Sequence, residues 1–244
     1  HFGTGNYNER TAELYSDVGY LTCRPDLGAD ATDVFNAITG FSQPQSLRCL
    51  EMSPFTIRSA LLRLIANEVA RAGNRERAAI MLKMNALTDE ALIEALYAAS
   101  RAGVKVRLNV RGICCLRPGV PGLSENITVI SVVDRFLEHA RLFYFLDGGK
   151  GRMYLSSADG MPRNLDKRVE LMVPVLDETI RKRLLKMLRI YFKDNVKAHI
   201  LSPDGSYRRL DADAGAARVR SQRTLYEEAQ AAARAREERR PTML

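Results

Sequence analysis

Three histidines occur in the 244 residues, and one of them stands among side chains that could handle phosphate. His139 is followed by Arg141, Asp147 and the run Ser156-Ser157-Ala158-Asp159. Imidazole changes charge near neutral pH, so His139 could offer a proton to a leaving oxygen or steady a phosphate. The planar guanidinium of Arg141 matches a pair of phosphoryl oxygens. Arg111-Gly112 offers a second grip. His1 opens a glycine-bracketed polar turn, Gly3-Thr4-Gly5-Asn6, with Tyr15 and Asp17 a little further on. Each residue also has an ordinary reading. A histidine at a strand start often only packs, an arginine sits in a surface ion pair, a tyrosine is half-buried, and Gly-Thr-Gly-Asn is a glycine turn. His199, in Lys-Ala-His-Ile-Leu, reads as structural.

These residues are scattered, so the elements that carry them must bring them together. Alternation and apolar runs predict strands at 17–23, 78–84, 104–110, 127–133, 140–146, 152–157 and 169–175, with a strand end at 49–52. Arg111 then falls at the carboxyl end of a strand, where open α/β sheets present ligand residues. His139 falls at the start of one. Gly148-Gly149-Lys150-Gly151 forms a hairpin turn between two of the strands, and a Pro- and Gly-rich loop covers 112–124. Helices are predicted at 29–41, from Ser53 as N-cap with Pro54 at the first helical position to Gly73, and from Thr88 to Gly103. A further helix from Glu178 turns Ile180, Leu184, Leu188 and Tyr191 inward. It holds Arg181, Lys182, Arg183, Lys186 and Arg189 on a solvated face. The alternation of strands and helices is an α/β pattern.

Composition narrows the partners. Lys and Arg exceed Asp and Glu to give a formal net charge of +8, which favours polyanions: nucleic acid, phosphate chains or acidic membrane. Hydrophobic residues make up 46%, enough for a substantial core. No apolar run approaches the ~20 residues of a membrane span, and no secretory signal heads the sequence. Cys23, Cys49, Cys114 and Cys115 include no Cys-x-x-Cys pair, which argues against a zinc site and for reduced, cytoplasmic thiols. No P-loop motif is present.

The stretch from His139 to Asp159 resembles, in degenerate form, the phospholipase-D-type signature of His-x-Lys, a following Asp, and Gly-Ser-x-Asn. Arg141 replaces the Lys, Asp147 falls one position late, and Asp159 replaces the Asn. Gly3-Thr4-Gly5-Asn6 stands where a preceding copy would carry Gly-Ser-x-Asn. Several blocks together resemble the large bacterial polyphosphate kinase, which has two phospholipase-D-like domains at its C-terminal end. They are His1-Phe-Gly-Thr-Gly-Asn-Tyr-Asn-Glu-Arg-Thr-Ala-x-Leu-Tyr15-x-Asp17, Leu108-Asn-Val-Arg111-Gly112, Ser131-Val-Val-Asp134-Arg135-Phe-Leu-Glu138-His139-x-Arg141, Tyr154-Leu-Ser-Ser-Ala-Asp159 and Arg163-Asn164. The resemblance runs in order from His1 to about residue 230.

It implies a phospholipase-D-like mixed-sheet domain at 49–202. Before it, residues 1–48 would be the remnant of a first such domain, and after it 203–244 would form a charged helical tail. It implies reversible transfer of the ATP γ-phosphate to inorganic polyphosphate through a phosphohistidine, which splits the transfer into two steps. The main phosphohistidine is expected upstream of His1, so the chain alone is expected to be inactive. Mg2+ would also be held upstream. Tyr15, Arg111 and His139 match the nucleotide-contacting positions, with His139 also catalytic, while His1 matches a second family histidine. Lys83, Asn85, Arg163 and Asn164 are expected to line a polyphosphate path. The expected partners are ATP, ADP and polyphosphate, not nucleic acid, with homo-oligomerisation and peripheral membrane association compatible. A phospholipase-D-type phosphodiesterase or nuclease is the competing reading. It calls for an intact His-x-Lys, which Arg141 denies it. A basic nucleic-acid-binding module would need aromatic and basic residues interleaved, and none is evident.

Overall fold

A computed structural model describes residues 1–41, 47–210, 215 and 217–237. The opening segment runs β1 (Phe2–Gly3), α1 (Glu9–Leu14), β2 (Tyr15–Ser16), β3 (Gly19–Tyr20) and α2 (Pro25–Ile38). The remainder runs β4 (Glu51–Ser53), α3 (Ile57–Gly73), β5 (Ala79–Met84), α4 (Glu90–Arg101), β6 (Lys105–Val110), β7 (Ile127–Val132), β8 (Leu137–Glu138) and β9 (Arg141–Phe145). It continues through β10 (Arg152–Ser156), β11 (Glu170–Pro174), α5 (Glu178–Tyr191), β12 (Ala198–Leu201), β13 (Tyr207–Arg209) and α6 (Ser221–Glu237).

Nine strands form one mixed sheet in the order β13-β12-β7-β6-β5-β9-β10-β11-β4. Its centre, β5-β6-β7, is parallel, and the crossover from β5 to β6 is α4. The flanks are antiparallel because hairpins build them, as between β9 and β10. Every residue of β9 is buried, since both faces of the sheet are covered. Phe143 and Phe145 point to one face, beneath α3 and α4. Leu142 and Tyr144 point to the other, beneath α5 and α2, so the opening segment shares that core through Leu27 and Val34. Helix α5 keeps its expected polarity: Leu184, Leu188 and Tyr191 are buried and its arginines and lysines lie outside or at the margin. Among the described residues no helix is long and apolar enough to cross a membrane.

Three local expectations are corrected. Ser53 does not cap α3. It pairs with Glu170 in the β4–β11 ladder and donates its hydroxyl to the carbonyl of Arg168, so the helix starts only after Thr56. The strand expected at 17–23 shrinks to Gly19–Tyr20, because Asp17 turns away to bond other groups. Helix α2 starts earlier than expected, with Pro25 in its first turn, where the missing N–H costs nothing. The polar run Phe-Ser-Gln-Pro-Gln-Ser at 41–46, which reads from its composition as a connector, lies almost wholly outside the described residues.

Candidate functional site

Strand β9 runs antiparallel to β5. Its amino end therefore lies at the same sheet edge as the carboxyl ends of β5 and β6. That puts Asn85, Arg111, His139 and Arg141 side by side. The two-residue strands β2 and β8 pair in parallel, Tyr15 with Leu137 and Ser16 with Glu138. The carbonyl of Ser16 also accepts from the N–H groups of His139 and Ala140, at 3.0 and 3.1 Å. This clip draws the opening turn onto the sheet edge.

His139 is held on three sides. Its Nδ1 lies 3.0 and 3.1 Å from the two carboxylate oxygens of Asp17. The Tyr15 ring sits 4.9 Å away, centroid to centroid. Arg141 Nη1 lies 3.1 Å from Nε2 and 3.4 Å from Nδ1. With Nδ1–H donating to Asp17, Nε2 is left as the acceptor nitrogen of the ring, beside Arg141. Asp17 is fixed in turn by the hydroxyl of Thr4, which donates to it at 2.8 Å and accepts from the N–H of Val18. Burial pushes the Asp17 carboxyl up. The hydrogen bonds from His139 and Thr4 outweigh that and bring it below the usual carboxylate range. A Cβ on Gly5 would run into the Asp17 carboxylate, so the glycine is needed for this close approach.

Arg111 is half-buried. Its Nε donates to Asn85 Oδ1 at 2.7 Å and to the Glu138 carbonyl at 2.9 Å. Its two terminal nitrogens have no partner among the described residues, and they are the free end of the fork. Asn85 in turn donates to the His139 carbonyl and to Asp159. Tyr15, Arg111 and His139, distant in sequence, are thus linked in one cluster.

Arg141 is not a phosphate grip. It is 7% exposed, and its fork closes on Asp159 at 2.8 and 3.2 Å while Nη1 donates to the carbonyls of Thr4 and His139. Burial pushes the Asp159 carboxyl up, and Arg141 and Asn85 more than reverse it. Asp147 is not in the site either. It lies beyond the far end of β9, held by Asn67, Arg71 and Arg152. Lys83 does not line an open path: it is 1% exposed, bonded to the Ala140 carbonyl, facing Glu138 at 3.1 Å and lying over the Tyr191 ring. Burial pushes its ammonium below the usual lysine value. Asn85 and Asn164 are also buried. Asn164 donates to Glu170, and only Arg163 of that set is exposed.

His1 lies beside the cluster. It bonds the Tyr7 hydroxyl and presses on Gly19. Between it and Tyr15 opens a cleft of about 370 Å³ lined by Asn6, Thr11 and Asp17 among others. His199 is in β12, opposite Ser131 and away from the cluster. Sequence reasoning missed the roles of Thr4, Asp17 and Glu138. The signal for Asp17 was a carboxylate in an otherwise polar turn with no local cation to pair with.

A nine-stranded mixed sheet with helices on both faces and a histidine–arginine cluster at one edge defines a mixed α/β domain with a polar, cation-bearing site. Family models place it more narrowly. Residues 1–44 match polyphosphate kinase C-terminal domain 1 and residues 50–222 match C-terminal domain 2, so the chain belongs to the polyphosphate kinase family. It is 59% identical over 226 residues to the polyphosphate kinase of Rhodopirellula baltica, covering 93% of this chain and 26% of that protein. It is 48% identical to that of Thermosynechococcus vestitus, covering 92% and 31%. The crystal structure of polyphosphate kinase from Porphyromonas gingivalis superposes with a TM-score of 0.90 at 38% identity, over 94% of this chain and 35% of that one. The chain spans about a quarter to a third of the length of these relatives.

Proposed function

We propose that this chain supplies the nucleotide-handling part of an enzyme that reversibly transfers the ATP γ-phosphate to inorganic polyphosphate. The observation that carries the proposal is the cluster itself: a guanidinium with its outer nitrogens free, a histidine fixed through Nδ1 by a carboxylate, and an aromatic ring against that histidine. Family membership supports the choice of reaction. Loose phosphoryl transfer needs charge neutralisation and alignment more than covalent chemistry. Arg111 would neutralise phosphoryl oxygens. His139 would offer Nε2 to the leaving oxygen, with Asp17 stabilising the imidazolium. Tyr15 would flank the nucleotide in the adjoining cleft.

The finer mechanism is proposed on the resemblance alone: a phosphohistidine carried upstream of residue 1, with residues 1–48 as the back end of the domain that bears it. Asp17, Glu138 and Asp159 each already face a cationic or imidazole partner, so none of the three is offered as a ligand for Mg2+.

The phosphodiesterase reading loses its key residue, because Arg141 is locked on Asp159. The test is to incubate a full-length enzyme carrying this sequence with ATP and Mg2+. Acid-labile phosphoprotein and long phosphate polymers are expected. Absence of polymer, with cleavage of lipid or DNA instead, would overturn the proposal.

A further inference from the structure

The C-terminal helix α6 begins in the interior. Ser221 is fully buried, and its N–H and hydroxyl both donate to Asp194 at 2.7 Å. Asp194, 1% exposed, also takes the N–H groups of Val196, Lys197 and Ala198. One residue earlier, Arg220 closes its fork on Asp134 at 2.6 and 2.7 Å. One residue later, Gln222 reaches the segment that leads into His139. Its Oε1 accepts from the N–H of Phe136 at 3.0 Å, and its Nε2 donates to the carbonyl of Phe136 at 2.7 Å. A side-chain amide here closes the pair of bonds that a neighbouring strand would close. The same Nε2 donates at 2.7 Å to Oε1 of Glu138, which is 2% exposed.

Glu138 is the residue on which the site converges. Its carbonyl holds Arg111 Nε, its carboxylate faces the buried Lys83, and the next residue is His139. A buried carboxylate left with one oxygen unsatisfied is costly, of the kind that rearranges its surroundings rather than stay unpaired. We propose that Gln222 is a positioning residue for the site: through Phe136 and Glu138 it sets the main chain that aims Arg111 and His139. The catalytic consequence rests on the phosphotransferase reading, whereas the effect on His139 does not.

The experiment has two readouts. Gln222→Met keeps the length of the side chain and removes all three hydrogen bonds. In the 244-residue chain, nitrogen-15 NMR of the His139 imidazole is compared between parent, Gln222→Met and Arg223→Ala. Arg223 lies one position along the same helix and among the described residues pairs only with exposed Glu227, so it serves as the control. The expected result is that the Nδ1–H to Asp17 signature is lost or averaged in Gln222→Met and intact in Arg223→Ala. In a full-length enzyme carrying this sequence, Gln222→Met is expected to lower turnover about 10-fold, in line with residues that orient groups in direct contact with substrate.

Gln222→Glu retains the shape and sets a carboxylate against Glu138. It is expected to disturb the His139 signals at least as much. Unchanged His139 signals in both variants, whatever happens to melting temperature, would overturn the proposal. So would loss of the folded state in both, which would make the clamp a folding element. Altered His139 signals in an enzyme that makes no polymer would support the positioning role and sink the polyphosphate reading.

Discussion

Replacing Asp17 by asparagine changes one charge and almost no volume. The carboxylate lies 3.0 Å from His139 Nδ1, with the two side chains 26% and 12% exposed. At an effective dielectric of about 20, unit charges at that separation attract by roughly 5 kcal/mol, and partial solvation reduces this. Hydrogen bonds to charged groups contribute about 1.5–3 kcal/mol. If about 2 kcal/mol of that appears only as His139 becomes imidazolium in the transition state, turnover should fall about 30-fold, at 1.36 kcal/mol per decade. The negative charge is not needed for packing: Thr4 still finds an acceptor in the side-chain amide, so stability should drop by only about 1 kcal/mol. The assay is steady-state transfer from ATP in a full-length enzyme, with a thermal melt of the same sample. Because Asp17 acts through His139, kcat should fall much more than KM for ATP rises. Turnover within two-fold of the parent, or a loss wholly explained by unfolding, would rule out this role for Asp17.

Other perturbations separate the parts of the site. Arg111→Ala should raise KM for ATP by about 10-fold or more, consistent with loss of a charge-assisted contact, and leave the melting temperature within a few degrees. Gly5→Ala should lower turnover by about 10-fold because the new methyl displaces Asp17, and a structure of the variant would show the shifted carboxylate. Asp147→Asn should leave the site's chemistry alone but cost about 2 kcal/mol in urea unfolding at pH 7. Burial raises the Asp147 carboxyl, but Asn67 and Arg152 outweigh it and hold it at about 2. A carboxyl depressed in the folded state stabilises fully above its unfolded value of about 4 and loses that contribution as pH falls toward 2. The variant should therefore lose part of the parent's stability change across that window.

The strand framework was legible because sheet strands covered on both faces read as apolar runs, as at 140–146, and because glycines marked the hairpin after Asp147. The cationic and imidazole residues were legible as types at strand ends. Their partners were not, because partner choice is made across the fold. Arg141 meets Thr4 across 137 residues, and Asn85 meets Asp159 across 74. That is why Arg141 read as a phosphate grip when it is a buried clamp, and why Lys83 read as part of a groove when it is sealed beneath Tyr191. Period-2 alternation places a side chain on a face of the sheet but does not say whether that face is open at that point. Ser53 and Pro54 made a helix-start signal, yet the β4–β11 ladder claimed Ser53 first. The tail read as a solvated helix because its charges dominate. The three residues that anchor it, Arg220, Ser221 and Gln222, find their partners only once the chain has folded back on residues 134–138 and 194.

Every role assigned to the cluster depends on His139 being a working residue rather than a packed one. The direct measurement is phosphoryl transfer by a full-length enzyme carrying His139→Ala, with thermal unfolding recorded beside it. General acid–base contributions of this kind are about 100-fold or more. A loss of at least that size with melting temperature shifted by no more than a few degrees is the predicted result. Turnover close to the parent's would contradict it and leave His139 as a packing residue.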